Sequence, residues 1–281
     1  MSGLTTVVFN VVDCFLCREK IRIIFVLQVL QVVKPVNCVL LISNIKDLKV
    51  DMIRKRIEKK AIETSLPKGK ISLQFQEPVR LLKPGSGTGK SIVQVLLKRR
   101  SIREISDREL SVQTLSDLLW AAYGVNRKKG PFGIPGRTAA SASNSQEIDV
   151  YVALKEGIYL YDAFRHKLIP VIAGDHRRLA IGKGQAGSGD KAPVRLIYVA
   201  DVNKLENTSG YREPGLLDPE IQKSYYYVDT GLIAGNVYLF AASKGLAAWF
   251  HNCNKPELAA KLKLNAGQRA LFGQSVGYPA K

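Results

Sequence analysis

The chain has 281 residues, of which 46% are hydrophobic and 23% are charged, and it carries a formal net charge of +18. This hydrophobic content is typical of a globular protein with a buried core, so it excludes a chain that is disordered along its whole length. A positive charge of this size suggests a polyanionic partner. Most of the excess positive charge, however, lies in the first 100 residues, which carry 19 Lys and Arg against 7 Asp and Glu.

Residues 1–51 form an apolar N-terminal extension whose status the sequence leaves open. Its longest apolar run, residues 23–43, is long enough to span a bilayer, but it contains Gln28 and Lys34, which disfavour a membrane contact. No positively charged segment precedes the first apolar run, so a secretory signal peptide is not indicated. In a third interpretation translation begins at Met52, and the extension is not part of the mature protein.

The cysteines form neither a disulfide framework nor a metal site. Cys14 and Cys17 make a lone CxxC pair, and the three histidines of the chain are too scattered to complete a zinc site. Unpaired thiols are typical of a reducing compartment. The sequence therefore predicts a cytoplasmic protein without a bound metal.

Residues 52–90 read as a basic arm that ends in a glycine-rich connector. The basic residues of "MIRKRIEKKAIETSLPKGK" are not interleaved with aromatic residues, which disfavours nucleic-acid binding. The connector "GSGTGKS", residues 85–91, resembles a phosphate-binding loop, but Pro84 stands where that loop needs its first glycine. We therefore interpret it as a flexible link rather than the loop of an ATPase.

From residue 91 onward the chain alternates irregularly between helical and strand patterns. Helices are predicted in residues 91–100, in 111–124 with Ser111 or Thr114 as the N-terminal cap, in 225–245 and in 256–264. Strands are predicted at "EIDVYVAL", at its hairpin partner "GIYLYDA", at "APVRLIYVAD" and at "RALFGQSVGYP". This irregular order predicts an α+β fold rather than a doubly wound sheet.

Two short segments carry residues that suit an anionic, planar ligand. In "KRRSIRE", Arg99, Ser101 and Arg103 occupy alternate positions, so in an extended segment they point to one side and can bind a phosphate. In "GRTAASASNSQEIDVYV", Ser141, Asn144 and Gln146 offer donors and acceptors for a polar ring or a ribityl chain. Each segment alone has an ordinary alternative, a solvated helix end or a polar loop.

Together and in this order the segments resemble the nitroreductase family of flavin enzymes, in particular its SagB-type branch. The resemblance depends on "RRSIRE", "LSDLLWAAYGVNR", "RTAASASNSQEIDVYVAL", "APVRLIYVAD", "DTGLIAGNVYLFAASKGLAA" and "VGYP". It covers residues 88–281 and implies a domain at 91–281 with a central, mostly antiparallel sheet flanked by helices. It also implies a homodimer with a long buried helix at its interface, FMN as cofactor, and NADH or NADPH as reductant of a small-molecule acceptor such as a nitroaromatic or a quinone.

The resemblance also assigns candidate cofactor-binding residues, while it names no catalytic acid or base. It places Arg99, Ser101 and Arg103 at the phosphate and ribityl chain, with Arg100 beside them, and Ser141 and Asn144 in a loop that reaches the flavin of the partner subunit. In the family a proline precedes this serine, whereas this chain has Ala140. The remaining candidates are the turn after the long helix and a residue of the C-terminal tail: Gly245, Leu246, Ala247 and Lys281.

Three alternatives stay open at this point. The first is an azoline dehydrogenase of the SagB type. Such enzymes use an adjacent Lys-Tyr pair as base, and this chain offers only Lys223 with Tyr225 and the unpaired Lys204, neither of which keeps that pattern. The second is a module that binds flavin without turnover. The third is a nucleic-acid-binding protein that uses the basic arm.

The position of His251 is also left open by the sequence. With Trp249 and Phe250, it either lines the pocket or packs in the core.

Overall fold

The computed structural model describes residues 75–85, 89–185, 191–208 and 217–280. The candidate membrane span at residues 23–43, the first three cysteines, most of the basic arm and Lys281 lie outside these residues. Residues Gly69–Lys281 form one compact unit. None of the helices in the described ranges is both long and apolar enough to cross a bilayer.

Seven strands form the central sheet in the order β1-β6-β5-β4-β7-β9-β8, and every neighbouring pair is antiparallel. The strands of the described chain are β1 (Val79–Arg80), β2 (Val125–Arg127), β3 (Gly136–Arg137), β4 (Ile148–Ala153), β5 (Gly157–Asp162), β6 (Lys167–Ala173), β7 (Val194–Asp201), β8 (Ala247–His251) and β9 (Gln268–Gly277). Strands β2 and β3 pair separately as a small ribbon. The predicted strands and the β4–β5 hairpin are confirmed.

In the described residues, five α-helices accompany the sheet: α1 (Ile92–Lys98), α2 (Val112–Tyr123), α3 (Val202–Glu206), α4 (Pro219–Lys244) and α5 (Lys255–Leu262). Ser111 caps α2, where its side chain accepts the Thr114 N–H, and the helix ends at Gly124 as predicted. Helix α4 begins at Pro219 rather than at residue 225. The carboxylate of Asp218 accepts the Glu220 N–H there, and proline needs no hydrogen bond at the first helical position.

The core lies on both faces of the sheet, which confirms the α+β architecture with flanking helices. Leu196 and Tyr198 of β7 face one cluster, which also contains buried residues of α2 and α4. Ile197 and Val199 face a second cluster, which contains Leu258 of α5. Because alternate side chains of a strand point to opposite faces, β7 is buried on both sides and lies at the centre of the fold.

Within the described chain, helix α4 is buried along only one of its own sides. Ile233 and Val237 are fully buried against the sheet and α2, whereas 60% of Val228 and 45% of Leu232 is exposed. The expected long helix therefore has two apolar sides, one packed in the core and one that no described residue covers.

Candidate functional site

The segment after α1 is extended and runs along the outer edge of β8. Arg99 ends the helix with φ −61° and ψ 120°, and the Ile102 N–H donates to the Ala248 carbonyl at 3.0 Å. Ile102 is half-buried, while Arg99, Ser101 and Arg103 are exposed. The predicted alternation of the two arginines and the serine along an extended segment is therefore observed, and we call residues 99–103 the arginine segment.

Aromatic side chains position the arginine segment. The Arg99 guanidinium lies 5.4 Å from the ring centre of Tyr238 on α4, and the Arg103 guanidinium lies 5.7 Å from that of Trp249 on β8. The Ser101 hydroxyl lies 2.9 Å from the Tyr238 hydroxyl, which also accepts the Phe250 N–H at 2.9 Å. The Tyr238 side chain thus ties α4 to both the arginine segment and β8.

The positive charges of the arginine segment are not neutralised within the described chain. No described carboxylate forms an ion pair with Arg99, Arg100 or Arg103. Guanidinium groups bind phosphate through paired N–H donors, and a hydroxyl between them adds a further donor. The segment therefore has the charge and the donors that a phosphate ligand requires.

The turn after α4 lies directly beside this segment. Gly245 ends the helix in the left-handed region, with φ +69°, and the N–H groups of Gly245 and Leu246 both donate to Ala241 O. Ala247 then begins β8, one residue before the carbonyl that binds Ile102. The structure therefore brings the turn residues Gly245–Ala247 and the arginine segment together.

The residues that follow β9 lie beside the residues that follow the arginine segment. The Ala280 N–H donates to the Glu104 carbonyl at 3.0 Å, and the Ser106 N–H donates to the Tyr278 carbonyl at 2.8 Å. Lys281 lies outside the described residues, so its predicted phosphate contact stays a prediction.

The loop that carries Ser141, Asn144 and Gln146 is held in a strained conformation. Ser143, Asn144 and Gln146 have φ of 49°, 54° and 53°, which makes three of the six described non-glycine residues with positive φ. Each such residue costs about 1–2 kcal/mol relative to ordinary backbone. Strain of this kind persists where the surroundings fix it, and it is concentrated at functional sites.

Hydrogen bonds inside the loop explain how this conformation is held. The Gln146 N–H donates to the Ser141 hydroxyl at 3.0 Å, and the Gln146 side-chain amide donates to Pro135 O and Asn144 Oδ1 at 2.7 and 3.0 Å. The Gln146 side-chain oxygen Oε1 accepts the Arg137 Nε–H at 2.6 Å. Gln146 is buried, so in the described chain its side chain supports the loop from within.

The loop and the arginine segment contact α4 at different places. The Ala142 N–H of the loop donates to Asp229 Oδ2 at 2.9 Å, whereas the arginine segment contacts Tyr238. Nine residues separate these positions, which corresponds to about 13 Å along the helix and about half a turn around it. One copy of the chain therefore does not bring the two sets of predicted residues together.

A pair of buried acids next to the loop was not predicted from the sequence. Glu147 is fully buried and Asp229 is 4% exposed. Burial, followed by repulsion from Asp229, raises the pKa of Glu147 to about 8, and burial also raises the pKa of Asp229. In the sequence, Glu147 stands at the start of an apolar strand and Asp229 within an apolar helix. Neither pattern indicates that the two acids are neighbours in the fold.

His251 is buried in the core, with its ring centre 4.6 Å from that of Trp249. Its Nε2 lies 2.9 Å from the Ser275 hydroxyl, its Nδ1 lies 2.9 Å from Asn252 O, and burial lowers its pKa to about 4. Cys253 is a free buried thiol whose pKa burial raises to about 11. Nowhere in the described ranges do three or more metal-binding side chains gather.

Comparisons with known proteins agree with this architecture. Residues 96–278 match the model of the Nitroreductase family. A nitroreductase-like protein of Methanocaldococcus jannaschii is 31% identical over 159 residues, 54% of this chain and 73% of that protein. Protein TfxC of the trifolitoxin operon of Rhizobium leguminosarum is 30% identical over 131 residues, 39% of this chain and 37% of TfxC. The crystal structure of a nitroreductase-like protein from Ralstonia eutropha has a TM-score of 0.64 at 32% identity, with 76% of this chain and 97% of that chain covered.

Proposed function

The chain belongs to the nitroreductase family, and from this we propose that it is an FMN-dependent oxidoreductase that oxidises NADH or NADPH and reduces a small acceptor. A nitroaromatic or a quinone is the class of acceptor that we expect. The observation that carries the proposal is the arginine segment, whose exposed guanidinium groups have no described carboxylate partner and lie beside the Gly245–Ala247 turn.

The side chains of the arginine segment fit the phosphate of FMN. Arg99 and Arg103 supply two planar sets of donors, and Ser101 supplies a hydroxyl between them. Arg100 is exposed beside them and adds a third positive charge. The rings of Tyr238 and Trp249 lie 5.4 and 5.7 Å from the two guanidinium groups, within the range of a cation–π contact, which favours side-chain positions close to the proposed phosphate.

FMN supplies the hydride chemistry when it is bound, and the chain supplies binding, orientation and electrostatics. In the proposed arrangement the turn Gly245–Ala247 presents its backbone to the cofactor. The loop of Ser141 and Asn144 approaches from a second copy. Reductant and acceptor use the same site in succession, for which we expect ping-pong kinetics.

A homodimer is part of the proposal because one copy separates the loop from the arginine segment. The uncovered face of α4 has apolar residues spaced seven and four positions apart, Ile221, Val228 and Leu232, which places them along one side of the helix. A Cβ on Gly231 would meet nothing within 4 Å, so another helix can approach closely there. Helix α1 adds four further exposed apolar side chains, those of Ile92, Val93, Leu96 and Leu97.

No feature of the described residues favours azoline dehydrogenation over this function. The Lys204 ammonium lies 2.5 Å from the Asp149 carboxylate, and Lys223 pairs with Glu220 at 3.4 Å on the exposed start of α4. Neither lysine contacts the arginine segment or the Gly245–Ala247 turn through any described hydrogen bond. A cytoplasmic location is also proposed, supported by the free thiol of Cys253.

The experiment that tests the proposal compares bound cofactor in wild type and in the variant Arg99→Ala/Arg103→Ala. We expect purified wild type to be yellow and to release FMN on denaturation, and the variant to lose it. The variant Lys183→Ala/Lys261→Ala removes two exposed charges on the opposite face of the sheet and should retain FMN. A colourless wild type that takes up no added FMN would contradict the proposal, and bound FMN without NAD(P)H oxidation would indicate a non-catalytic flavin module.

A further inference from the structure

Glu147 and Asp229 bind the two ends of the short turn Ala142–Asn144. Asp229 Oδ2 accepts the Ala142 N–H at 2.9 Å, and Glu147 Oε2 accepts the Ser145 hydroxyl at 2.6 Å. Both carboxyl groups are buried. The two acids therefore attach the loop, which contains the strained Asn144, to the core and to α4.

Two carboxylates buried near each other cannot both be ionised at low cost, because each loses its hydration and repels the other. The Tyr123 hydroxyl on α2 faces the pair, and Arg137 on β3 stacks on the Tyr123 ring at 4.7 Å. On the side of β7, the Asp201 N–H donates to the Glu147 carbonyl. Burial and the charge of Asp229 raise the pKa of Glu147 to about 8, so Glu147 keeps its proton at neutral pH, and burial raises the pKa of Asp229 as well.

The two acids add to the hydrogen bonds inside the loop, which hold a strained backbone. Ser143, Asn144 and Gln146 occupy left-handed backbone without the freedom of glycine, and Ala140 does not restrict the backbone as a proline would. Ionisation of Glu147 would place a second negative charge beside the carboxylate that holds the Ala142 N–H. The resulting repulsion and the entry of water would weaken the attachment of Ala142 to Asp229, while the Ser145 hydroxyl still donates to ionised Glu147.

We propose that Glu147 and Asp229 are positioning residues, which hold the loop of residues 141–146 in its binding geometry while Glu147 is protonated and loosen the attachment of Ala142 when that proton is lost. The expected change in FMN affinity rests on the proposed function. The expected change in the loop does not depend on that function, because it also occurs in the protein without FMN.

Hydrogen exchange of the peptide that covers residues 140–147, corrected for the intrinsic rate, tests the effect on the loop at pH 7 and pH 9. We expect protection in wild type to fall about tenfold at pH 9, where most of Glu147 is ionised. Glu147→Gln has the same shape and no charge at either pH, so its protection should not change. Asp229→Asn removes the repelling charge and should also reduce the pH dependence; the full wild-type pH dependence in both variants, or none in wild type, would overturn the inference.

Titration of FMN fluorescence at the same two pH values tests the consequence for binding. We expect the FMN affinity of wild type to fall by a similar factor at pH 9 and that of Glu147→Gln to stay constant. Any change that arises from titration of FMN itself appears in both proteins and is subtracted. If no protein binds FMN at either pH, the proposed function fails, and the exchange result still decides the role of the pair. An equal fall in affinity in wild type and Glu147→Gln would count against the pair.

Discussion

The Ser101 and Tyr238 hydroxyl groups lie 2.9 Å apart and join the arginine segment to α4 across 137 residues of sequence. The same Tyr238 hydroxyl accepts the Phe250 N–H at the outer edge of β8. One side chain of the long helix thus aligns the two backbone segments that flank the proposed phosphate site.

Replacement of Tyr238 by phenylalanine should destabilise the protein by about 1 kcal/mol, because the Phe250 N–H loses its acceptor. We also expect the affinity for FMN to fall several-fold, since Ser101 is no longer held in place. Urea denaturation and FMN titration measure the two effects. Tyr226→Phe, on the same helix and with a hydroxyl that forms no described hydrogen bond, should change stability by less than about 0.5 kcal/mol; an equal effect of both changes would contradict the role of Tyr238.

Leu232→Asp should convert the proposed dimer into a monomer. Leu232 is exposed in the single chain, so the change should leave the fold intact, but an aspartate in an apolar interface loses its hydration without a partner. Sedimentation velocity measures the result, and FMN should be lost together with the dimer. Val171→Asp places the same charge at an exposed apolar position on β6 and should remain dimeric; a dimeric Leu232→Asp would show that this face of α4 is not the interface.

Gly245→Ala should cost about 1 kcal/mol of stability, because alanine resists the left-handed backbone that ends α4. A Cβ would meet no atom within 4 Å, so the cost comes from the backbone alone. Chemical denaturation measures it. Gly184→Ala, which has equal space but no positive φ, serves as the control and should be close to neutral; a neutral Gly245→Ala would show that the turn is not constrained as described.

The stability of wild type relative to Glu147→Gln should fall as the pH rises from about 5 to 8. The folded protein holds the proton of Glu147 up to a pKa of about 8, whereas the unfolded chain releases it near the ordinary pKa of glutamate. The stabilisation from this proton is therefore complete below the unfolded pKa and is lost as the pH approaches the folded one, by at most about 1.4 kcal/mol per pH unit.

Urea denaturation at pH 5.5, 6.5 and 7.5 measures this difference. Glu109→Gln removes an exposed glutamate and should keep the pH dependence of wild type. Parallel curves for wild type and Glu147→Gln would mean that Glu147 does not hold its proton in the folded state.

Local patterns in the sequence were sufficient for most of the elements and for the arginine segment. The cap at Ser111, the stops at Gly124 and Gly245 and the alternation of the strands depend on neighbours within a few residues, so they can be read directly from the chain. The spacing of Arg99, Ser101 and Arg103 was visible for the same reason, whereas their role at a phosphate follows from the resemblance and stays a prediction. The early start of α4 at Pro219 was missed, since the apolar pattern begins later than the cap.

Only the tertiary structure decided what these residues contact. The contact of Arg103 with Trp249 and the electrostatic interaction of Glu147 with Asp229 join positions 146 and 82 residues apart, and no local pattern encodes such pairs. The fold also determined that Gln146 bonds within its own loop and that the loop lies about 13 Å along α4 from the arginine segment. The sequence determined which chemical groups are present, whereas the packing of α4 against the sheet determined which of them are neighbours, because burial and pKa depend on contacts between distant parts of the chain.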